Sequence, residues 1–243
     1  MADETDALRD AALPESPPDL GGPGPLLWDA FRSWHVRPER LDALWSAAWR
    51  RIGIEFHRYS ISLHTTHAWR VLPIRIVVDR CRPSDSQRRT LRRNADLRVR
   101  IGPPVITPQR HDLFHRHKQR FRESPPESLL DFLGPAPGRM PCETVEVAAY
   151  ENDRLVAASY LDVGIEAVSS IYAMFDPNLS RRRLGIATML WEIEFARQRR
   201  ARYYYPGYAF HEPSFMDYKK QFEGSEWYDW EQGWKPLPRH SPG

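Results

Sequence analysis

Hydrophobic and polar positions along the chain change period several times, and each change marks an element. Between residues 169 and 175 apolar residues alternate (Ile171, Ala173, Phe175), as in a strand with one buried face. Asp176-Pro177 ends that run, and Leu184, Ala187, Met189, Leu190, Ile193 and Ala196 then recur at helical steps. Upstream, a short helix is expected over 26–34. A second helix follows Pro38 with the stripe Leu41, Leu44, Trp45, Ala48 and Ile52. Two β-rich runs cover 54–63 and 69–78; the second holds Pro73, which places it at an edge or a bulge. Residues 84–94 read as a helix opened by Ser84 with Gln87 three positions on, a reciprocal cap. A strand over 97–101 precedes a helix from Thr107-Pro108 to about 121. That helix buries Leu113, Phe114, His117 and Phe121 and turns Arg110, Arg116, Lys118 and Arg120 outward. A short helix over 127–133 follows, then strands over 143–150 and 154–163 joined at Glu151-Asn152-Asp153, then the strand ending at 175. In Tyr203-Tyr204-Tyr205 the outer two share one face of a strand. Trp227, Trp230 and Trp234 are placed to close the fold.

The pattern is α+β. Residues 1–24, acidic and rich in Pro and Gly, read as a disordered tail, and 238–243 as a second tail. Ser124-Pro-Pro126 and Gly134-Pro-Ala-Pro-Gly138 mark 124–138 as a connection between an N-terminal α/β domain, 25–123, and a C-terminal domain, 139–237. The 243 residues suffice for one large core or two small ones, and 41% apolar with 28% charged residues is globular composition. The chain has no apolar run long enough for a membrane helix and no basic-then-apolar start, so a membrane is not an expected partner. Two cysteines, Cys81 and Cys142, make neither a disulfide framework nor a thiolate metal site, and a reducing cytoplasm is the expected location. His64 and His67 lack the further ligands that a closed metal site needs, so no metal is expected.

Charge changes this picture locally. The net value is only +3, yet residues 75–122 carry 14 Lys or Arg against 4 Asp. Arg88, Arg89, Arg92 and Arg93 form one basic face of the 84–94 helix, either a solvated surface or a grip on a phosphate backbone.

Candidate chemistry gathers in the 180s. Ser180 can cap the helix that follows, Gly185 leaves room at its first turn, and free amides beside arginines suit an anion. Arg182-x-x-Gly185-x-Ala187 therefore reads as a cradle for a phosphate-bearing acyl donor.

This turn resembles the pyrophosphate-binding turn of the GNAT acyltransferase fold. The surrounding residues resemble, more narrowly, the aminoacyl-tRNA:protein transferases of the N-degron pathway. Those residues are Ser170-Ile-Tyr172, Phe175-Asp176-Pro177, Leu184-Gly185, Glu192-Ile193-Glu194, Tyr203-Tyr-Tyr205, Gly207-Tyr208 and Met216-x-Tyr218-Lys219, with Pro73-Ile-Arg75 and the arginine-rich 82–94 stretch upstream. The resemblance spans roughly residues 45 to 237. It implies a GNAT-like fold, with a second degenerate half possible, and an enzyme that moves an amino acid, Arg or Leu, from charged tRNA to the N-terminal amine of acidic-ended proteins. An example is protein arginylation by the arginyltransferases. The co-substrate is aminoacyl-tRNA and no further cofactor is required. The family's N-terminal cysteine cluster, which serves a metal or iron–sulfur centre, has no counterpart, since no cysteine precedes Cys81. Alternatives are a GNAT N-acetyltransferase using acetyl-CoA and a non-catalytic tRNA- or protein-binding homologue.

Acyl transfer to an α-amine needs a neutral amine, a polarised carbonyl and positioning. Tyr172, Asp176 and Glu192 are the expected catalytic groups. Asp176 either relays a proton or caps its turn, and Glu192, unable to share a helix face with Glu194, is the glutamate placed toward the cleft. Arg182, Leu184, Gly185, Ala187 and Tyr208 are expected at the donor. Arg202, Tyr218 and Lys219 are expected at the acidic acceptor, unless the two cations are merely surface charge. An apolar pocket with Phe175 and Met189 would suit a leucyl group, and a carboxylate an arginyl group. His115 and His117 are possible proton acceptors, more often structural. The tyrosines at 203–205 either stack on an adenine or belong to the core.

Overall fold

A computed structural model describes residues 26–64, 67–121 and 127–238; the expected tails, Pro238 apart, lie outside these, as do the side chains of His64 and His67. The elements are β1 (Trp28–Arg32), α1 (Pro38–Ser46), β2 (Arg50–Ile52), β3 (Glu55–Tyr59), β4 (Ile61–His64), β5 (His67–Val77), α2 (Asp85–Arg93), β6 (Arg98–Gly102), α3 (Pro108–Lys118) and α4 (Leu129–Leu133). They continue with β7 (Thr144–Glu151), β8 (Arg154–Val163), β9 (Ala167–Phe175), α5 (Leu184–Gln198), β10 (Tyr203–Phe210), β11 (Ser225–Asp229) and β12 (Gly233–Pro236). Strands β1-β3-β2 form a small sheet. A larger one runs β12-β11-β5-β10-β9-β8-β7-β6, with β4 added to β5. This mixed α+β sheet is antiparallel except where β10 meets β9. It takes strands from both expected segments: β4, β5 and β6 come from 25–123, the rest from 139–237. Among the described residues no helix is long and apolar enough to cross a membrane.

The expected helix over 26–34 is strand β1. Its pairing with β3 stacks Trp28 on Tyr59 and Phe31 on Phe56, contacts that a strand's alternation provides at once. Pro73 lies inside β5 rather than at an end. On one side β4 covers Ala68 to Arg70 and β11 covers Ile74 to Ile76, so the proline falls in the gap between two half-length partners and no ladder bond is lost. In α3, Arg110 is buried instead of outward, because its guanidinium meets the Glu146 carboxylate at 2.6 and 2.8 Å; Phe121 stays partly exposed beyond the helix end. Ile52 lies past the end of α1 and is exposed, whereas Leu41, Leu44, Trp45 and Ala48 are buried.

Strand alternation sends the core to two faces. On one, Val147, Leu161, Val168 and Tyr204 pack on Ile186, Met189, Leu190 and Ile193 of α5. On the other, Tyr160 and Met174 pack under α3 and α4, while Ala167 and Tyr205 pack under Leu41, Leu44 and Trp45 of α1 and Phe56 of the small sheet.

Candidate active site where two strands part

Strands β9 and β10 pair for only three residues, Ala167–Ser169 against Tyr203–Tyr205. Irregularities on both sides drive them apart. In β9 the register against β8 slips past Ile171, and in β10 the register against β5 slips between Tyr204 and Gly207. That second slip contains Pro206, which has no amide hydrogen to offer a neighbour. Helix α5 makes the crossover between the two strands and closes the opening from below.

Three charged groups converge on this opening. Glu192 of α5 is buried under it, accepting hydrogen bonds from the Tyr204 hydroxyl of β10 and, at 3.3 Å, from Ser170 of β9. Burial pushes its carboxyl up to about 7, against the hydrogen bonds from Tyr204, Ser159 and Ser170 and the charge of Lys219. Lys219 arrives from the turn Asp217–Gln221 and donates to the Tyr208 carbonyl at 3.0 Å; among the described residues it makes no ion pair. Burial, then the charge of Arg50, pushes its ammonium down to about 7, with Glu192 opposing. Arg50, at the start of β2, comes over the other face and reaches Ser169 Oγ at 3.5 Å. Its guanidinium lies on Gly207, where a Cβ would sit 2.8 Å from Nη1 and 2.9 Å from Cζ. Burial pushes this group down from its usual range.

Aromatic rings line the walls. On the α3 side Tyr172 stacks on Phe132 with centroids 4.0 Å apart, beside Phe114 and His117. Burial raises the Tyr172 hydroxyl. On the Arg50 side Tyr208 meets Tyr59 and His57 edge-on and donates to the Ala48 carbonyl at 2.7 Å. Tyr218 is half-buried beside Glu192, and burial pushes its hydroxyl up to about 12.

The expected site residues divide in this structure. Glu192, Tyr172, Tyr208, Tyr218 and Lys219 border the opening. Arg202 does not: it precedes Tyr203 and rests on that ring, while Lys219 binds at Tyr208. Five strand positions separate the two anchor points, roughly 17 Å at the rise of a strand. Arg50, unmarked by any sequence motif, is the arginine that lies at the opening. Asp176 is fully buried and accepts from Arg116 (2.7 Å), Arg154 (3.2 Å) and the Asn178 amide (3.0 Å), the geometry of a cap and ion-pair anchor.

The 180s turn also differs from expectation. A 3-10 turn, Pro177–Arg182, intervenes, so Arg183 in the left-handed region is the residue that starts α5, and Ser180 instead accepts the Arg183 amide through its carbonyl. Arg182 binds Asp96 and Glu151, each at 2.9 Å, and the space beside Gly185 is taken by the Phe175 ring, 3.1 Å from where a Cβ would be. Leu184 and Ala187 are buried. The turn leans on α2 through Asn94 to the Arg182 carbonyl, Arg93 to the Arg181 carbonyl and Arg183 to Ser86. Exposed Arg88, Arg89, Arg92 and Arg93 thereby join exposed Arg181 and Arg183 on one surface. The capping box of Ser84 and Gln87 is present.

His117 holds its Nδ1 3.1 Å from the Phe175 carbonyl, buried, with its pKa pushed down to about 4 by desolvation; the ring locks the end of β9. Cys81 and Cys142 are buried in separate clusters, and among the described residues no three His, Cys, Asp or Glu side chains gather as a metal site.

Residues 109–229 match the profile of "Arginine-tRNA-protein transferase, C terminus". The aspartate/glutamate leucyltransferase of Marinobacter nauticus is 30% identical over 198 residues, covering 79% of this chain and 80% of that protein. The enzyme of the same name from Xanthomonas euvesicatoria is 34% identical over 178 residues, 70% of each chain. Among solved structures, L-PGS from Bacillus licheniformis superposes with a TM-score of 0.44 at 10% identity, over 75% of this chain and just over half, 54%, of that one. By these relationships the chain belongs to the aminoacyl-tRNA–protein transferase family.

Proposed function

We propose that the protein transfers an amino acid, leucine in the first instance, from the 3′ ester of charged tRNA to the α-amine of proteins beginning with Asp or Glu, using the opening between β9 and β10 as the meeting point. The observation that carries this reading is that Glu192, held by Tyr204 and Ser170, and Lys219, docked on the Tyr208 carbonyl, meet at one opening, where burial pushes the carboxyl up and the ammonium down to about 7. An incoming α-ammonium has an ordinary pKa of about 7.7 to 8 and must lose a proton before it can attack. A buried acceptor matched to that value is the most effective one. Glu192 takes the proton from the ammonium, the neutral amine adds to the ester carbonyl, and the ester bond breaks as the proton shed by the attacking nitrogen passes to the departing ribose oxygen. No covalent intermediate on the protein is needed when both substrates are held in place.

The family relationship favours charged tRNA over acetyl-CoA as donor. The relatives are named for leucine as donor and Asp or Glu as acceptor. The aromatic wall of Phe132, Tyr172 and His117 also suits an apolar acyl side chain, whereas the buried carboxylate at the opening, Glu192, is already held by Tyr204 and Ser170. Three antiparallel strands, β7 to β9, followed by α5 and a parallel, diverging β10 support the reading of a GNAT-like half. The exposed arginines of α2 and the 180s turn would take the tRNA backbone, in the cytoplasm where charged tRNA is found. Incubation with Leu-tRNA, Arg-tRNA or acetyl-CoA and a peptide beginning with Asp, read by mass spectrometry, tests the proposal. A leucyl adduct is expected, and an acetyl adduct or none overturns it.

A further inference from the structure

Arg50 and Arg51 are neighbours on β2 with opposite fates. Arg51 turns inward and finds a carboxylate, Asp162. Arg50 turns to the opening and finds none: among the described residues its one hydrogen bond is the 3.5 Å contact to Ser169. A guanidinium has five N–H groups, and withdrawing such a charge from water without a partner is costly. Arg75 and Arg110, likewise shielded, have Glu226 and Glu146 within 2.7 and 2.8 Å. The second cation here, Lys219, makes no ion pair among the described residues: its Nζ is bonded to the carbonyl of Tyr208, the residue after the glycine on which Arg50 lies, and Glu192 acts on it only through its charge. Two cations without an ion pair are docked on consecutive residues of one strand, and the one carboxylate at the opening, Glu192, is taken up by Tyr204 and Ser170, so the arrangement leaves a place for an anion from outside.

The site is also built to hold the fork still. Gly207 has φ +101°, and any side chain there would collide with Nη1, Cζ and Nη2 of Arg50 together, so the guanidinium is seated flat against the backbone. Tyr59, Tyr208 and His57 wall it with rings, and burial beside Arg50 pushes His57 down to about 4, so that it stays neutral.

We propose that Arg50, backed by Lys219 and Ser169, is the receptor for the side-chain carboxylate of the acceptor's N-terminal Asp or Glu. A planar fork can take both oxygens of a carboxylate, whereas the amide of Asn or Gln would set its own N–H groups against the fork's. The receptor therefore reads charge as well as shape, and it holds the adjoining α-amine beside Glu192 and Lys219. This inference rests on the reading above that protein N-termini are the acceptors.

The test is a two-part measurement on the full chain. Binding of peptides beginning with Asp and with Asn is measured by calorimetry without tRNA, and kcat/KM for leucyl transfer to the same pair is measured with charged tRNA. The wild type should prefer Asp by about 100-fold. Arg50→Met should bring the Asp-to-Asn ratio toward one in both measurements, mainly through KM, while Arg50→Lys should recover part of it. Ser169→Ala, which leaves the fork seated on Gly207, should lower the ratio by a few fold and decides the matter if Arg50→Met does not fold. An unchanged ratio in a folded Arg50 variant, or an unchanged ratio in both Arg50→Lys and Ser169→Ala, overturns the proposal. If the wild type transfers no amino acid at all, the enzymatic reading fails, and the calorimetric ratio still judges Arg50.

Discussion

Arg51 on β2 grips Asp162 on β8 with two hydrogen bonds of 2.5 and 2.6 Å, both side chains almost completely buried. The pair ties the N-terminal strands to the sheet that carries β9, and so fixes where neighbouring Arg50 enters the site. Thr144 shares the carboxylate at 2.8 Å. Removing one member of a buried pair strands the other, at a cost of about 3–5 kcal/mol. Arg51→Met should therefore lower the unfolding free energy by that amount in urea titrations. Arg51→Met with Asp162→Leu should cost less than the single change, because no charge is left unpaired; an equal or larger loss would show that the pair does not act as a unit.

Glu192 is expected to set the rising limb of the pH–rate profile. Its carboxyl titrates near 7, so transfer should increase as pH rises through that value. Glu192→Gln should reduce kcat by about 10²- to 10⁴-fold, the usual weight of general base catalysis, and remove that limb. Tyr204→Phe removes a hydrogen bond that favours the ionised form, so the limb should move to higher pH with a smaller loss of rate.

The same two groups make stability depend on pH with opposite signs. Glu192 binds its proton more tightly folded than unfolded, so its contribution is present below about 4.5 and is lost as pH rises toward 7. Lys219 binds its proton less tightly when folded, so its contribution is lost as pH falls from about 10.5 toward 7. Thermal melts should therefore show a dip near neutrality. Glu192→Gln should flatten its acid side and Lys219→Met its alkaline side. A dip that survives both substitutions would have to come from other groups.

What the sequence made legible was whatever repeats along one element. The stripe of α5, the capping box of α2 and the split of Tyr203 and Tyr205 from Tyr204 all depend on periodicity, which a linear reading captures. Glu192 and Lys219 came within reach through family resemblance. Arg50 did not, because nothing near it in the chain distinguishes it from Arg51; its partners Ser169, Gly207 and Lys219 lie more than a hundred residues away. Asp176 and Arg182 carried plausible motifs, yet Arg116 and Arg154 in one case and Asp96 and Glu151 in the other hold them, and such distant partners leave no local trace. Helix was expected at 26–34 for a similar reason: the strand there is made by Tyr59 and Phe56 across a turn of chain, and local preference alone does not decide it.

The arginines of α2 differ in how free they are, and that separates their expected roles at tRNA. Arg88 is held by Asp85 and the Pro83 carbonyl, and Arg93 by the Arg181 carbonyl. Among the described residues the side chains of Arg89 and Arg92 make no hydrogen bond or ion pair and are exposed, so they can turn to a phosphate backbone without breaking anything. Arg89→Glu with Arg92→Glu should weaken tRNA binding and reduce the slope of log affinity against log salt by about 2, one for each phosphate that is no longer neutralised. The reversal should leave the melting temperature nearly unchanged, since the cap of Ser84 and Gln87 and the hydrogen bond from Asn94 to the 180s turn remain. Filter binding of tRNA between 50 and 200 mM salt, roughly the range in which such slopes are steep, gives the slope and the affinity together. An unaltered slope would move the tRNA surface away from α2 and toward the remaining basic residues of the 180s turn.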